Sequence, residues 1–235
     1  EFGEVVSKAT RDYPGISFGV GPVGPQWCSD SLLATIGDIA TEGYRVHAHF
    51  LESAAQRSWA PGSVLSRMNT HGLLGPHTSL AHAVWCSDKE LQILADLGVQ
   101  LVTCPHSNRL LQAGRAPVDD WLRWGITVGV GLDSADPQAR PVDVARLALS
   151  PMEAERALSE GGLSCAGFSN VHDRVVWTDR ELGIVDSVEI DGTAVISHGR
   201  FREHSAVEAA RERITETMNR DAANRTSRHS SIDAM

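Results

Sequence analysis

The chain has 235 residues, 42% apolar and 22% charged, enough for the core of one large domain or two modest ones. Its 30 acids against 21 bases leave a net charge of −9, which argues against a nucleic-acid partner. No run of about 18 apolar residues marks a membrane span, the N-terminal stretch lacks the basic-then-apolar order of a secretory signal, and four widely spaced cysteines without a CxxC pair fit reduced thiols in a cytoplasmic protein.

The chain opens on Glu1-Phe2 and is in a strand-like run by residue 18, so a longer protein starting upstream is expected. Residues 16–23 form a short apolar run closed by Gly and Pro, the pattern of a buried strand. Residues 29–43 carry apolar side chains at helical spacing, with Ser29 or Asp30 as N-cap and Gly43 at the end. A strand follows at 44–51, then one or two helices within 53–75 and a strand at 78–85. Ser87 to Glu90 spells a capping box for a helix through Leu97. Strands at 99–104 and 126–133 flank a short helix at 116–125, where Trp121 and Trp124 are expected in the core. Repeated βα units with apolar strands imply a parallel sheet covered by helices. Further on, 142–162 is expected to be helical, 184–201 to be two β runs around Asp191-Gly192, and 205–218 to be a charged helix before a polar, disordered end.

In parallel α/β folds, chemistry collects at the C-terminal strand ends. Here each successive end carries polar groups: His47, His49 and Glu52, then His82, then His106-Ser107-Asn108, then Asp133. Two imidazoles and a carboxylate from separate strands can converge on one divalent metal, with a position left for water and a glutamate nearby to shuttle its proton. Singly, each has a plainer reading: a hydrogen-bonded core histidine, an acid at a helix start for Glu52, a helix cap for Asp133. Coincidence at four consecutive strand ends is harder to accept.

The segments HAHFLES, TSLAHAVW and CPHSNRLLQAGRAPVDDWLRWGITVGVGLD, in that order, resemble the second half of the metal-dependent amidohydrolase superfamily. The nearest branch is the aminohydrolases: S-adenosylhomocysteine and methylthioadenosine deaminases, guanine and pterin deaminases, and triazine hydrolases. The resemblance covers about residues 16–136. It implies an α/β fold, a (β/α)8 TIM-barrel of amidohydrolase type, here incomplete with about strands 4–8. The expected organisation is a partial barrel over 1–183, a β-hairpin remnant of a flanking β domain over 184–201, and a charged helix with a disordered tail over 202–235.

The resemblance also assigns roles. His49 matches the strand-5 ligand and Glu52 the proton-shuttling glutamate of the family's H-x-x-E pattern. His82 matches the strand-6 histidine, which binds metal or polarises substrate, and Asp133 the strand-8 ligand that also moves protons. The cofactor implied is one divalent ion, Zn, with Fe as the alternative. Ser107 and Asn108 match a turn that shapes the pocket wall; Gln26, Trp27, His106 and Asn108 are candidate substrate contacts. The pattern needs no ligand at His47, which would face the interior one layer deeper, while His71 and His77 fall in loops. The implied reaction is attack of metal-activated hydroxide on an amino-substituted nitrogen heterocycle (purine, pterin, pyrimidine or triazine), releasing ammonia. The partner is this small molecule, with a homo-oligomer left open. The family's strand-1 His-x-His is not in the chain. The alternatives are therefore a catalytically inactive truncated fragment, or a dechlorinating or amide-hydrolysing relative.

Overall fold

A computed structural model describes residues 2–13, 16–59, 63–133, 139–168, 173–179, 184–190 and 192–202. The first of two units, Glu1–Ser169, is built on a parallel sheet in sequence order: β1 (Gly19–Val20), β2 (Arg45–Phe50), β3 (Thr78–His82), β4 (Gln100–Thr103) and β5 (Val128–Val130). Each strand pairs with the next, as in consecutive strands of a (β/α)8 barrel, and among the described residues the sheet runs from β1 to β5 without closing. The strands are shorter than their apolar runs. β1 has one neighbour and pairs over two residues, while β3 stops at His82, where φ turns positive.

Helices fill the crossovers. α1 (Phe2–Asp12) precedes β1, and α2 (Asp30–Thr41) starts at Ser29, whose hydroxyl accepts from the Leu32 N–H. Gly37 of α2 lies so close to the next connection that a Cβ there would sit 1.7 Å from the His71 carbonyl oxygen. The 53–75 region resolves into α3 (Ala54–Trp59) and α4 (Ser63–Thr70). α5 (Asp88–Asp96) begins with the expected capping box: the Glu90 carboxylate accepts from the Ser87 N–H at 2.8 Å. Both Glu90 carboxylate oxygens also accept from the Arg57 Nη1, at 2.6 and 2.8 Å, tying α3 to α5. The turn expected at 106–108 is instead the first turn of α6 (Pro105–Leu110), because Pro105 starts a helix at no hydrogen-bonding cost.

α7 (Val118–Arg123) buries Trp121 in the core. Trp124 differs from its expected core position: it caps the C-terminus as the chain turns towards β5, and it is 40% exposed. The 142–162 stretch is not one helix. It breaks into α8 (Pro141–Arg146), α9 (Pro151–Arg156), a π-helical turn (Ala157–Gly161) and α10 (Gly162–Ala166), with Pro141 and Pro151 each starting a segment. The core of Leu33, Phe50, Leu80, Leu91, Leu101 and Trp121 lies between the sheet and its helices. None of the described helices is long and apolar enough to cross a membrane.

The second unit, Asn170–Met235, holds an antiparallel sheet of β6 (Arg174–Asp179), β7 (Ile184–Ile190), β8 (Thr193–Ser197) and β9 (Arg200–Phe201). β7 and β8 form the hairpin expected around Asp191-Gly192, and Gly192 takes the left-handed φ of 73° that such a turn requires. This unit starts before the expected 183/184 boundary because Arg174–Asp179, with Val175, Val176 and Trp177, pairs with β7. The charged helix expected at 205–218, and all the tail from 203, lie outside the described residues.

Candidate metal centre

Alternation along the strands decides which side chains share the concave side of the sheet. On β2 these are Arg45, His47 and His49; their parallel partners place Ser79 and Ala81 beside the two histidines. His47 stays one layer below His49. Its Nδ1 lies 2.5 Å from the Ser79 Oγ, and burial, helped by the Arg45 charge, lowers its pKa and favours the neutral ring. Beneath it, a cavity of about 580 Å³ is lined by Arg45, His47, Ser79, Val102 and Cys165.

His82 follows Ala81 and by strict alternation would point to the opposite side. A φ of 74° at His82, followed by 44° at Ala83, breaks the strand and carries the imidazole over its end. Leu51 after β2 (φ 44°) and Asp133 after β5 (φ 57°) share this left-handed backbone, which costs an ordinary residue roughly 1–3 kcal/mol and concentrates at functional sites. Two backbone bonds lock the ends together: the Ala83 N–H donates to the Phe50 carbonyl at 2.8 Å and the Trp85 N–H to the Leu51 carbonyl at 3.0 Å.

The result is a cluster. The His49 and His82 ring centroids are 5.3 Å apart, and the His82 Nε2 is 3.8 Å from an Asp133 carboxylate oxygen. Both imidazoles use Nδ1 elsewhere. The His49 Nδ1 donates to the Val23 carbonyl at 2.8 Å, and the His82 Nδ1 to the Asn108 Oδ1 at 2.9 Å. That leaves each Nε2 with a free lone pair, the tautomer a metal ligand needs. The free nitrogen of His82 can hold an ion or polarise a substrate, but not both at once.

One donor escaped the sequence reading. Among the described residues, the tight group with metal-ligand spacing is His82, Cys104 and Asp133, whose donor atoms lie within 4.8 Å of one another; His49 is not one of the three. Cys104 directly follows β4 and is buried, and a lone cysteine carries no spacing signal. Burial, then the nearby Asp133 and Glu52 charges, push its thiol up to about 12. Glu52 itself is half-buried, and its N–H donates to the Gln56 side chain at 2.7 Å.

The candidate substrate contacts divide. Asn108 is fully buried and acts on His82, while Ser107 is buried beside it in α6. His106 is half-buried, with an Nδ1 that has no partner. Gln26 is buried in a 3-10 turn (Pro25–Trp27), with neither polar side-chain atom bonded, whereas Trp27 is exposed. The donor set of imidazole nitrogens, a carboxylate and a thiol suits a divalent ion such as Zn.

Residues 8–171 match the model of the amidohydrolase family. Over 123 residues the chain is 36% identical to a 5-methylthioadenosine/S-adenosylhomocysteine deaminase from Archaeoglobus fulgidus, a match covering 48% of this chain and 29% of that protein. It is 35% identical over 119 residues to a 5'-deoxyadenosine deaminase from Methanosarcina mazei, covering 48% of this chain and 27% of the relative. Among solved structures, a zinc-bound adenosine deaminase from Xanthomonas campestris superposes with a TM-score of 0.80 at 22% identity, covering 93% of this chain and 61% of that one. The chain thus spans only part of the length of the proteins it matches.

Proposed function

Because the chain belongs to the amidohydrolase family, we propose that it is the C-terminal portion of a metal-dependent hydrolase that deaminates an amino-substituted nitrogen heterocycle, adenosine-like purines first. The observation that carries this reading is the meeting of His49, His82 and Asp133 from three separate strand ends, with both Nε2 atoms free. These residues, with Cys104 within reach, are our proposed holders of one Zn ion. The names of the adenosine-type deaminase relatives support purines over pterins, pyrimidines and triazines.

A divalent ion there supplies Lewis-acid activation of water. The protein's part is to place groups. Asn108 holds the His82 ring so that Nε2 faces the site. Asp133 accepts a proton from the attacking water and passes it to the departing amine. Glu52 delivers a proton to the ring nitrogen next to the attacked carbon. One C–O bond forms, one C–N bond breaks, and the products are a carbonyl compound and ammonia. His106 and Asn108 are proposed to border the substrate, with Gln26 and Trp27 beyond them. The net charge of −9 and the free cysteines support a cytoplasmic setting with a small-molecule partner.

A second reading, metal binding without turnover, is supported by the sequence: its single His-x-His is His47-Ala48-His49, and His47 is engaged by Ser79. Ammonia release separates the two. The zinc-loaded protein is assayed against 5'-methylthioadenosine, adenosine, aminopterins and aminotriazines. Turnover of an adenosine-like substrate is expected, with Glu52→Gln lowering kcat by about 10²–10⁴-fold at unchanged zinc content. Turnover that survives Glu52→Gln would remove Glu52 from the chemistry, and zinc binding without any ammonia would favour the second reading.

A further inference from the structure

Behind the candidate centre, on the helix-covered side of β4, lies a separate cavity of about 380 Å³. Thr103 forms part of its floor; it lies two residues beyond the core residue Leu101, and so on the same side of the strand. Asn108 and Arg109 of α6, Gln112 and Arg115 of the following loop, and Leu147 and Ala148 after α8 are among the other lining residues. The volume falls in the range of small-molecule sites, roughly 300–1,000 Å³.

Two polar atoms of lining residues are closed off from the cavity and unpaired. The Thr103 Oγ1 and the Asn108 Nδ2 belong to residues that are at least 98% buried, and neither has a hydrogen-bond partner. Such groups cost about 1–3 kcal/mol each when left unsatisfied. The Asn108 amide already uses Oδ1 on the His82 ring, so Nδ2 is left as a pure donor. Arg109 and Arg115 bring two guanidinium groups, and neither has a carboxylate partner among the described residues. No Asp or Glu lines the cavity. The charged groups open to the cavity are the two guanidiniums, so the complementary ligand presents acceptors. The arginine pair further selects negative charge.

We propose that this cavity is a binding site for a small organic anion, whose charged group is held by Arg109 and Arg115 and whose apolar body rests on Leu147 and Ala148. Asn108 lines this cavity and also holds the His82 ring of the candidate centre, so it stands between the two. The proposal does not depend on the deaminase reading, so its test is run on metal-free protein.

Benzoate is the probe and inorganic phosphate the control, with binding to the full chain followed by titration calorimetry in EDTA. Saturable benzoate binding below about 1 mM is expected, with phosphate at least about tenfold weaker for lack of an apolar body. The double variant Arg109→Gln/Arg115→Gln should weaken benzoate at least about tenfold, and these exposed side chains can be changed without unfolding the protein, as circular dichroism would verify. No saturable benzoate binding up to about 10 mM, or an unchanged affinity in the folded double variant, would overturn the proposal. Phosphate binding as tight as benzoate would overturn the apolar-bodied ligand.

Discussion

At the scale of single residues, the candidate centre depends on side chains that aim other side chains. Asn108 shows this best: read from sequence it belongs to a turn that shapes the pocket wall, yet its buried Oδ1 fixes which nitrogen of His82 is free. Partners of this kind typically contribute about 10–100-fold to metal affinity. Asn108→Ala should therefore weaken zinc binding by about that factor, measured by competition with a chromophoric chelator, while the far-UV circular dichroism stays native. Equal affinity in the variant would mean that His82 is oriented by something else. His49, His82, Glu52 and Asp133 are candidates in the sequence because each sits at or just past the end of an apolar run. Cys104 is not, because nothing in the order of residues says that a thiol after β4 will lie within 4.8 Å of His82 and Asp133. Nor does alternation foretell His82, whose ring reaches the site only through a positive φ.

At the scale of elements, local signals predicted starts better than stops. Ser29 and the Ser87–Glu90 capping box begin α2 and α5 as the sequence indicates. Strand ends were hidden, because they depend on which residues find a neighbour, whereas the break-up of the 142–162 stretch had a visible cause in Pro151. The α5 start has a measurable pH signature. Burial alone would raise the Glu90 carboxyl, but hydrogen bonds from Ser87 and the Arg57 guanidinium outweigh it and hold the pKa below its usual 4.5. A carboxyl depressed in the folded state contributes stability that is present above its unfolded pKa and is lost as pH falls through the folded one. Glu90→Gln should therefore lower stability by about 1.5–3 kcal/mol near neutrality. The gap from the parent should narrow as pH drops below 4.5. Urea unfolding at a series of pH values checks it; a gap that stays constant into acid would assign the loss to packing and not to charge.

At the scale of the whole first unit, the concave side of the sheet is polar at both ends but for different reasons. The upper end carries the candidate centre. The lower end is organised by Arg45, whose guanidinium donates to the Gln100 Oε1 at 2.8 Å and the Ser164 carbonyl at 3.0 Å, joining β2 and β4 to α10. These partners are 55 and 119 residues away in sequence, which is why no local pattern announced them. Gly167, in left-handed conformation just past α10, gives Arg45 room: a Cβ there would sit 1.8 Å from the arginine stem. Arg45→Met keeps most of that stem but strands several partly buried acceptors, each worth about 1–3 kcal/mol. The expected loss is about 2–4 kcal/mol, or roughly 5–15 °C in Tm for a unit of this size. Arg45 and His49 are four residues apart on one strand, about 13 Å at 3.3 Å per residue. Zinc affinity should therefore stay within about threefold of the parent, since no candidate donor touches Arg45. Calorimetric melting and zinc competition on the same preparation separate the two effects. A variant that melts normally would deny Arg45 its role in joining α10 to the sheet, whereas one that loses zinc in proportion to its stability would show that the two ends of the sheet are a single cooperative structure.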